Sequence, residues 1–198
     1  IVAAGGDYSK IRFTFQEYFR RLGTDPKRWG EPMAALLGAY DAQMKLGLPS
    51  IGGKDSMSGS FNDIDVPPTL CSFAVDVATL QDVVSPELKK AGNVLVKFDI
   101  EKDEFDLPVY SQLMSLYADI TKLIHEKKIA SAYAVGFGGI CEAVSKMAFG
   151  NELGVTLNDR LSIDELFAKD YGSIIVEMDP EDYAACKLAG KEIGTVTE

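Results

Sequence analysis

The second half of the chain alternates short apolar runs with amphipathic segments, and this order restricts the possible folds more than any other feature. The apolar runs, which are rich in β-branched residues, predict strands at 93–100, 129–135, 154–157 and 173–178. The segments between and after them have the residue spacing of helices at 108–128, 140–149, 164–168 and 180–189. We therefore predict an α/β or α+β layer in which helices pack on a mixed sheet.

The first part of the chain contains one long predicted helix at 31–49. Pro32 suits its first turn, and Gly47 with Pro49 ends it. Five apolar side chains recur at helical spacing and are predicted to be buried: Met33, Leu36, Leu37, Tyr40 and Met44. Upstream, residues 13–22 are predicted to form a short helix that ends at Gly23.

A second apolar segment, residues 69–80, predicts a strand with one apolar face. Cys71, Phe73, Val75 and Val77 occupy that face. The turn that follows contains a proline and two lysines, and it predicts a domain boundary near residues 84–92. The predicted domains are therefore residues 1–84 and 85–198.

Charge and composition exclude several classes of protein. The net charge of −10 repels a nucleic acid backbone, so no nucleic acid partner is expected. No apolar run approaches the roughly 20 residues of a membrane helix, so we expect no membrane association and a cytoplasmic location. The three cysteines lie far apart without CxxC spacing, which predicts neither a disulfide nor a zinc site.

The stretch "GGKDSMS", residues 52–58, is the first candidate for chemistry. Gly52 and Gly53 would let the backbone approach a ligand closely, and Lys54 would contact an anion. Asp55 and Ser56 would orient the ligand through polar contacts. The alternative is a strand that ends in a tight turn with its polar residues in water, and composition alone favours it.

The second candidate is the glycine-rich turn in "AVGFGGICEAV". The N–H groups of Gly136, Gly138 and Gly139 would face a phosphate at the start of a helix. The alternative is that a compact turn from strand to helix needs glycine for steric reasons. His125 and the acids at 62–65 are interpreted as solvent-facing, since neither has the spacing of a catalytic or calcium-binding motif.

The order of the motifs resembles that of a known family. The specific string is "GKDSMS", followed by a "PPTL" strand, then by "GGICEAVSKMAFGNELGV" and "LFAKDYGSIIVEMDPEDYAA". Together they resemble the large type of phosphoribosylformylglycinamidine synthase, also called formylglycinamide ribonucleotide amidotransferase. The resemblance covers essentially the whole chain, which looks like part of the second half of the synthetase core.

The resemblance implies an ATP-dependent ligase of purine biosynthesis that converts formylglycinamide ribonucleotide, glutamine and ATP to the amidine. It implies a fold similar to that of aminoimidazole ribonucleotide synthetase, whose N-terminal domains pair into a β-barrel. Residues 1–84 would be the later part of such an N-terminal domain, and residues 85–198 the C-terminal α/β domain. The expected cofactors of the full enzyme are ATP and Mg²⁺. The expected partners are the other synthetase half and a glutaminase domain.

One departure from the family pattern leaves a rival function open. Ala134, Gly136 and Phe137 stand where the family frequently has Asp, Ser and Asp for magnesium and nucleotide phosphate. A turn without an acid cannot hold magnesium in that way, so no bound cofactor is expected on this chain itself. The rival is a degenerate structural half with no ligand, and aminoimidazole ribonucleotide synthetase itself fits "GKDSMS" less well. The isolated chain is expected to be inactive and to self-associate, for example as a homodimer, through uncovered apolar surface.

Overall fold

A computed structural model describes all 198 residues and divides the chain into two compact units. One unit is Ser9–Val77, and the other combines Ile1–Tyr8 with Ala78–Glu198. The division falls between Val77 and Ala78, earlier in the chain than the boundary predicted near residues 84–92. Residues Ile1–Tyr8, which the prediction assigned to the first domain, pack with the second unit.

The Ser9–Val77 unit contains five strands and one helix. Their bounds are β1 Arg12–Tyr18, α1 Pro26–Leu46, β2 Ser50–Ser56, β3 Ser60–Phe61, β4 Ile64–Asp65 and β5 Thr69–Val75. Three strands form a sheet in the order β2-β1-β5, with β1 parallel to β2 and antiparallel to β5. The other two form a small antiparallel hairpin.

The helix predicted at 13–22 is wrong, because residues Arg12–Tyr18 form the central strand β1. Phe13 and Phe15 lie on the same face of the strand, where their rings stack with centroids 5.7 Å apart. This alternation has the period of two that is typical of a strand. Pairing on both edges then satisfies the backbone of β1.

Helix α1 is longer than predicted and begins at Pro26, so the prediction that Pro32 lies in its first turn is wrong. The Asp25 side chain caps the helix and accepts a hydrogen bond of 3.0 Å from the backbone N–H of Lys27. At the other end, Gly47 adopts a left-handed conformation, as expected for a helix-ending glycine.

The apolar stripe on α1 is exposed, which contradicts the prediction that it is buried. Its five side chains are between 54% and 64% exposed: Met33, Leu36, Leu37, Tyr40 and Met44. A helix of 21 residues is about 32 Å long, whereas the strands beside it have only seven residues, or about 23 Å. The three-stranded sheet is therefore shorter than the helix, and Leu36 and Leu37 are exposed although they lie near the middle of α1. The apolar face of β5 is also open, with Phe73 and Val75 more than half exposed.

The second unit contains five strands and four helices. Their bounds are β6 Val94–Phe98, α2 Tyr110–His125, β7 Ile129–Ala134, α3 Gly139–Phe149, β8 Gly154–Leu157, α4 Ile163–Phe167, β9 Ile174–Met178, α5 Pro180–Ala185 and β10 Lys191–Thr197. The strand order is β7-β9-β6-β10-β8, and every neighbouring pair is antiparallel. The sheet of this unit is thus antiparallel where a mixed sheet was predicted, because alternation along the sequence does not set strand direction. The α+β class is confirmed.

Two apolar cores lie on opposite faces of this sheet. Residues of α2, among them Ile120 and Ile124, pack on one face against Val96 and Val176. Residues of α3, among them Met147, pack on the other face, which is lined by Leu95 and Ile175. The strands β6 and β9 are therefore covered on both faces, which explains why their sequences are apolar except for Lys97 and Glu177.

No helix of the structure combines the length and the apolar character that crossing a bilayer requires. The three cysteines, Cys71, Cys141 and Cys186, are free thiols that are each partly exposed.

Candidate active site groove

The "GGKDSMS" stretch forms the end of edge strand β2 and the residues that follow it. In the parallel pairing with β1, Lys54 lies opposite Gln16 and Asp55 lies opposite Glu17. Because successive side chains of a strand point to opposite faces, Asp55 shares a face with Glu17, while Lys54 and Ser56 point to the other face. The structure therefore does not bring the three predicted catalytic side chains together.

A groove of about 470 Å³ lies between α1 and the face of the sheet that carries Asp55. This volume is within the range of about 300–1,000 Å³ that is usual for small-molecule sites. Gly52, Gly53, Lys54 and Asp55 are at its edge, and their lining partners are Phe15, Glu17, Leu36, Ala39, Tyr40, Gln43, Ser50 and Met57. The groove thus contains the predicted motif, although strand alternation directs the Lys54 side chain to the opposite face.

Glu17 is the residue of this groove that the sequence analysis missed. It is only 7% exposed and has neither a hydrogen-bond partner nor an ion-pair partner. Burial raises the pKa of the Glu17 carboxyl, and the neighbouring charge of Asp55 raises it further. A signal was present in the sequence, since Glu17 continues the alternation of Phe13 and Phe15 on what is otherwise an apolar face.

Lys54 itself is exposed and forms no ion pair. An exposed lysine is available to an anion, but it is also what the solvent-facing alternative predicts. The roles of Lys54, Asp55 and Ser56, and the backbone access at Gly52 and Gly53, stay predictions.

The glycine-rich turn before α3 makes contacts that count against phosphate binding. The backbone N–H of Gly138 donates a hydrogen bond of 2.7 Å to the Glu142 carboxylate. The N–H of Gly139 donates to the Gly136 carbonyl at 3.3 Å. Lys146 pairs with Glu142, and this cation, followed by the Gly138 N–H, lowers the pKa of the Glu142 carboxyl. A side chain of the protein itself therefore occupies the place in which an anion was predicted.

Sterics explain why this turn contains glycine. Gly139 has a φ of +67°, and a Cβ there would lie 2.7 Å from the carbonyl oxygens of both Leu166 and Ala168. This close approach supports the alternative that the turn is glycine-rich for packing. Nucleotide binding by Gly136, Gly138 and Gly139 remains untested.

Of the two acids at 62–65, Asp65 takes part in an ion network. Asp65 accepts a hydrogen bond of 2.5 Å from Ser60 and pairs with Arg20 and Arg28. The Ser60 hydrogen bond and the two cations lower the pKa of the Asp65 carboxyl. No group of three or more His, Cys, Asp or Glu side chains in the structure is arranged to hold a metal ion.

The amino-acid sequence of the chain is similar to that of curated proteins of one kind. No family model matches the chain. A curated relative from Pelagibacter ubique, phosphoribosylformylglycinamidine synthase subunit PurL, is 27% identical over 175 residues, which cover 77% of this chain and 24% of the relative. The subunit of the same name from Methanococcus aeolicus is 25% identical over 86% of this chain and 27% of the relative. The chain therefore spans about a quarter of the length of the curated relatives that it matches.

Solved structures are similar to the whole chain. The PurLQS structure from Thermotoga maritima matches with a TM-score of 0.75 at 16% identity, covering 100% of this chain and 35% of that one. The hydrogenase maturation protein HypE from E. coli matches with a TM-score of 0.71 at 13% identity, covering 100% of this chain and 70% of that one. At these identities the structures establish the fold alone. The resemblance to phosphoribosylformylglycinamidine synthase that the sequence predicted is confirmed by the curated relatives.

Proposed function

We propose that this chain is part of the synthetase core of an ATP-dependent carbon–nitrogen ligase of purine biosynthesis. The complete enzyme would convert formylglycinamide ribonucleotide, glutamine and ATP to formylglycinamidine ribonucleotide. The single observation that supports the proposal best is the similarity to PurL subunits over 77% and 86% of the chain. Structures of T. maritima PurL complexed with ATP and with FGAR agree with substrates of these classes.

In this proposal, the motif on β2 contributes to a composite active site. Lys54 contacts an anionic part of the substrate or nucleotide, and the glycines beside it let the ligand approach the backbone. The rest of the synthetase core and a glutaminase domain, which supplies ammonia, complete the enzyme, and the cytoplasm is its predicted location.

ATP and Mg²⁺ are the expected cofactors of the complete enzyme, but the residues of this chain do not fit them well. The turn before α3 has Ala134 and Phe137 where an acid would be needed, and the Gly138 N–H already donates a hydrogen bond to Glu142. The ligands of these groups would therefore come from other parts of the enzyme.

Replacing Lys54 with alanine in the complete enzyme tests the proposed site. We expect turnover to fall by about 100-fold or more, because a positive charge that faces developing negative charge contributes on this scale. Steady-state ATP-dependent amidine formation is the measurement. Lys27→Ala is a matched control, since Lys27 is also exposed, lies in the same unit and forms no ion pair. Normal turnover by a folded Lys54→Ala enzyme would reject the site.

The 198-residue chain alone is expected to show no ATP-dependent turnover with formylglycinamide ribonucleotide and ammonia. It lacks an acidic magnesium site in the turn before α3, and no other cluster of three metal-ligating side chains replaces it. Release of inorganic phosphate is a suitable assay. Turnover by the purified chain would contradict this expectation.

A degenerate structural half is the second candidate function, and the contact between Glu142 and the Gly138 N–H favours it. Calorimetric titration with ATP, with and without Mg²⁺, separates the two. Magnesium-dependent binding would support a retained nucleotide site, whereas no heat of binding would support the structural role. A homodimer of the isolated chain, through the exposed apolar residues of α1 and β5, fits either function.

A further inference from the structure

The groove between α1 and the sheet contains a carboxylate without a donor. Glu17 is more than nine-tenths buried, no protein group donates a hydrogen bond to its carboxylate, and the carboxylate oxygens are reached from the groove. The side chain faces the groove instead of the apolar interior. A ligand with N–H groups would supply the missing donors.

The neighbouring side chains do not satisfy Glu17. The Gln43 amide is held by the backbone and makes no bond to Glu17: its Nε2 donates to the Ala39 carbonyl at 3.1 Å and its Oε1 accepts from the Ser50 N–H at 2.8 Å. Asp55 lies beside Glu17 on the same face and can only add negative charge. Lys54, the cation at the groove edge, extends its side chain to the other face of the strand.

The charge of the groove therefore selects against phosphate and in favour of a cation. Two adjacent carboxylates repel an anion. A bound cation would offset the burial and the Asp55 charge that raise the pKa of Glu17, and so would favour its ionised form. A metal ion is a poor fit, since no third carboxylate or histidine is present to complete its coordination. A planar organic cation needs fewer ligands, because a single carboxylate accepts two parallel N–H bonds from it.

The walls of the groove suit such a cation. Phe15, Leu36, Tyr40 and Met57 supply aromatic and apolar surface around the two carboxylates. Aromatic faces attract planar cations. The groove is open on the side of α1, where Leu36 and Tyr40 are more than half exposed, so a flat ring could enter it from solvent.

We propose that the groove formed by Glu17, Asp55 and the facing residues of α1 binds an amidinium group, with Glu17 as its hydrogen-bond acceptor. This inference deepens the proposed function and rests on it for its biological meaning, because the product of the proposed ligase carries an amidine. Glu17 on β1 is then a residue that recognises the nitrogen end of the product, on the opposite face of the sheet from the Lys54 side chain on β2.

Titration of the 198-residue chain with benzamidine tests the inference. Benzamidine combines an amidinium with an aromatic ring, and benzamide and benzoate are its neutral and anionic counterparts. We expect calorimetry to detect benzamidine binding that is at least 10-fold weaker in Glu17→Gln and also weaker in Asp55→Asn. Asp63→Asn is the matched control, since Asp63 is an exposed acid of the same unit, and it should leave the affinity unchanged.

Each alternative result would overturn the inference. These results are equal affinity for benzamide, tighter binding of benzoate, unchanged benzamidine affinity in Glu17→Gln, or no binding of benzamidine to the wild-type chain. Thermal unfolding of each variant establishes that it is folded, and Asp55→Asn provides a second readout in case Glu17→Gln disturbs the strand.

The two proposals fail in different ways. If benzamidine binding depends on Glu17 while Lys54→Ala leaves turnover of the complete enzyme normal, the amidinium groove stands and the ligase site at Lys54 is rejected. If Lys54→Ala abolishes turnover while benzamidine does not bind, the ligase site stands and the amidinium groove is rejected.

Discussion

Replacing Glu177 with alanine is expected to lower the free energy of unfolding by about 3–5 kcal/mol, the range for losing one partner of a fully buried charged group. Glu177 lies on the central strand β9 and is completely buried. Its Oε1 accepts hydrogen bonds from the Lys90 N–H at 3.0 Å and from Asn93 Nδ2 at 2.8 Å. Its Oε2 accepts from the Lys89 N–H and from Ser131 Oγ, both at 2.8 Å.

The carboxylate thus holds together the turn before β6 and the neighbouring strand β7. Alanine leaves four donors without a partner in a site from which water is excluded, and it also creates a cavity. Urea unfolding followed by circular dichroism measures the effect. Because the donors stay buried in the variant, the loss should appear in the free energy at zero denaturant and leave the denaturant dependence unchanged.

Two further variants make this prediction specific to the buried carboxylate. Glu181→Ala removes an exposed acid near the start of α5 and should change stability by no more than about 0.5 kcal/mol. Glu177→Gln keeps one oxygen acceptor but turns an amide N–H₂ toward two donors. We therefore expect its free energy of unfolding to lie between those of the wild type and Glu177→Ala. A Glu177→Ala protein within about 1 kcal/mol of the wild type would contradict the role assigned to these four hydrogen bonds.

The sequence predicted those elements whose local pattern agrees with their final environment. Strands β6 and β9 are covered on both faces, and each has four apolar residues out of five, which gives the same prediction. Strand β1 was missed because Phe13 and Phe15 within it and Phe19 just after it satisfy both a strand and a helix over a short window. Pairing with β2 and β5 makes this segment a strand, and both partners lie far from β1 in the sequence.

The candidate site shows the same division between local and non-local information. Lys54, Asp55 and Ser56 are adjacent in the chain, and their adjacency suggested one group, but the pleat of β2 separates them onto two faces. Glu17 is distant in sequence and was hidden by the incorrect helix. Only the parallel register between β1 and β2 brings it beside Asp55.

Acidic residues illustrate why the hydrogen-bond partners of some side chains could not be predicted from the sequence. Glu177 stands within an apolar run, and this position alone indicates a buried carboxylate that needs donors. Its donors lie on a turn and on a strand that are far away in the sequence, so nothing local identifies them. Glu142, by contrast, finds Gly138 and Lys146 within one helical turn, and such a contact is open to prediction from spacing.

Gly139→Ala is expected to lower the free energy of unfolding by about 2–5 kcal/mol, combining the strain of a left-handed residue with overpacking. The backbone φ of +67° disfavours any side chain at this position. In addition, the new Cβ would lie 2.7 Å from the carbonyl oxygens of Leu166 and Ala168. These are backbone atoms, which cannot rotate away as a side chain can, so α3 or α4 must shift.

Gly136→Ala, in the same turn, separates this steric role from a general need for glycine. A Cβ at Gly136 meets only Glu142 Oε2, at 3.8 Å, and its φ is not in the left-handed region. This variant should therefore stay within about 0.5 kcal/mol of the wild type or become slightly more stable, since alanine restricts the unfolded chain. Thermal and urea unfolding of both variants measure the difference. If both variants lost the same free energy of unfolding, the turn would need glycine for a reason other than packing against α4. Contact between a ligand and the backbone would then explain the glycines better than packing does.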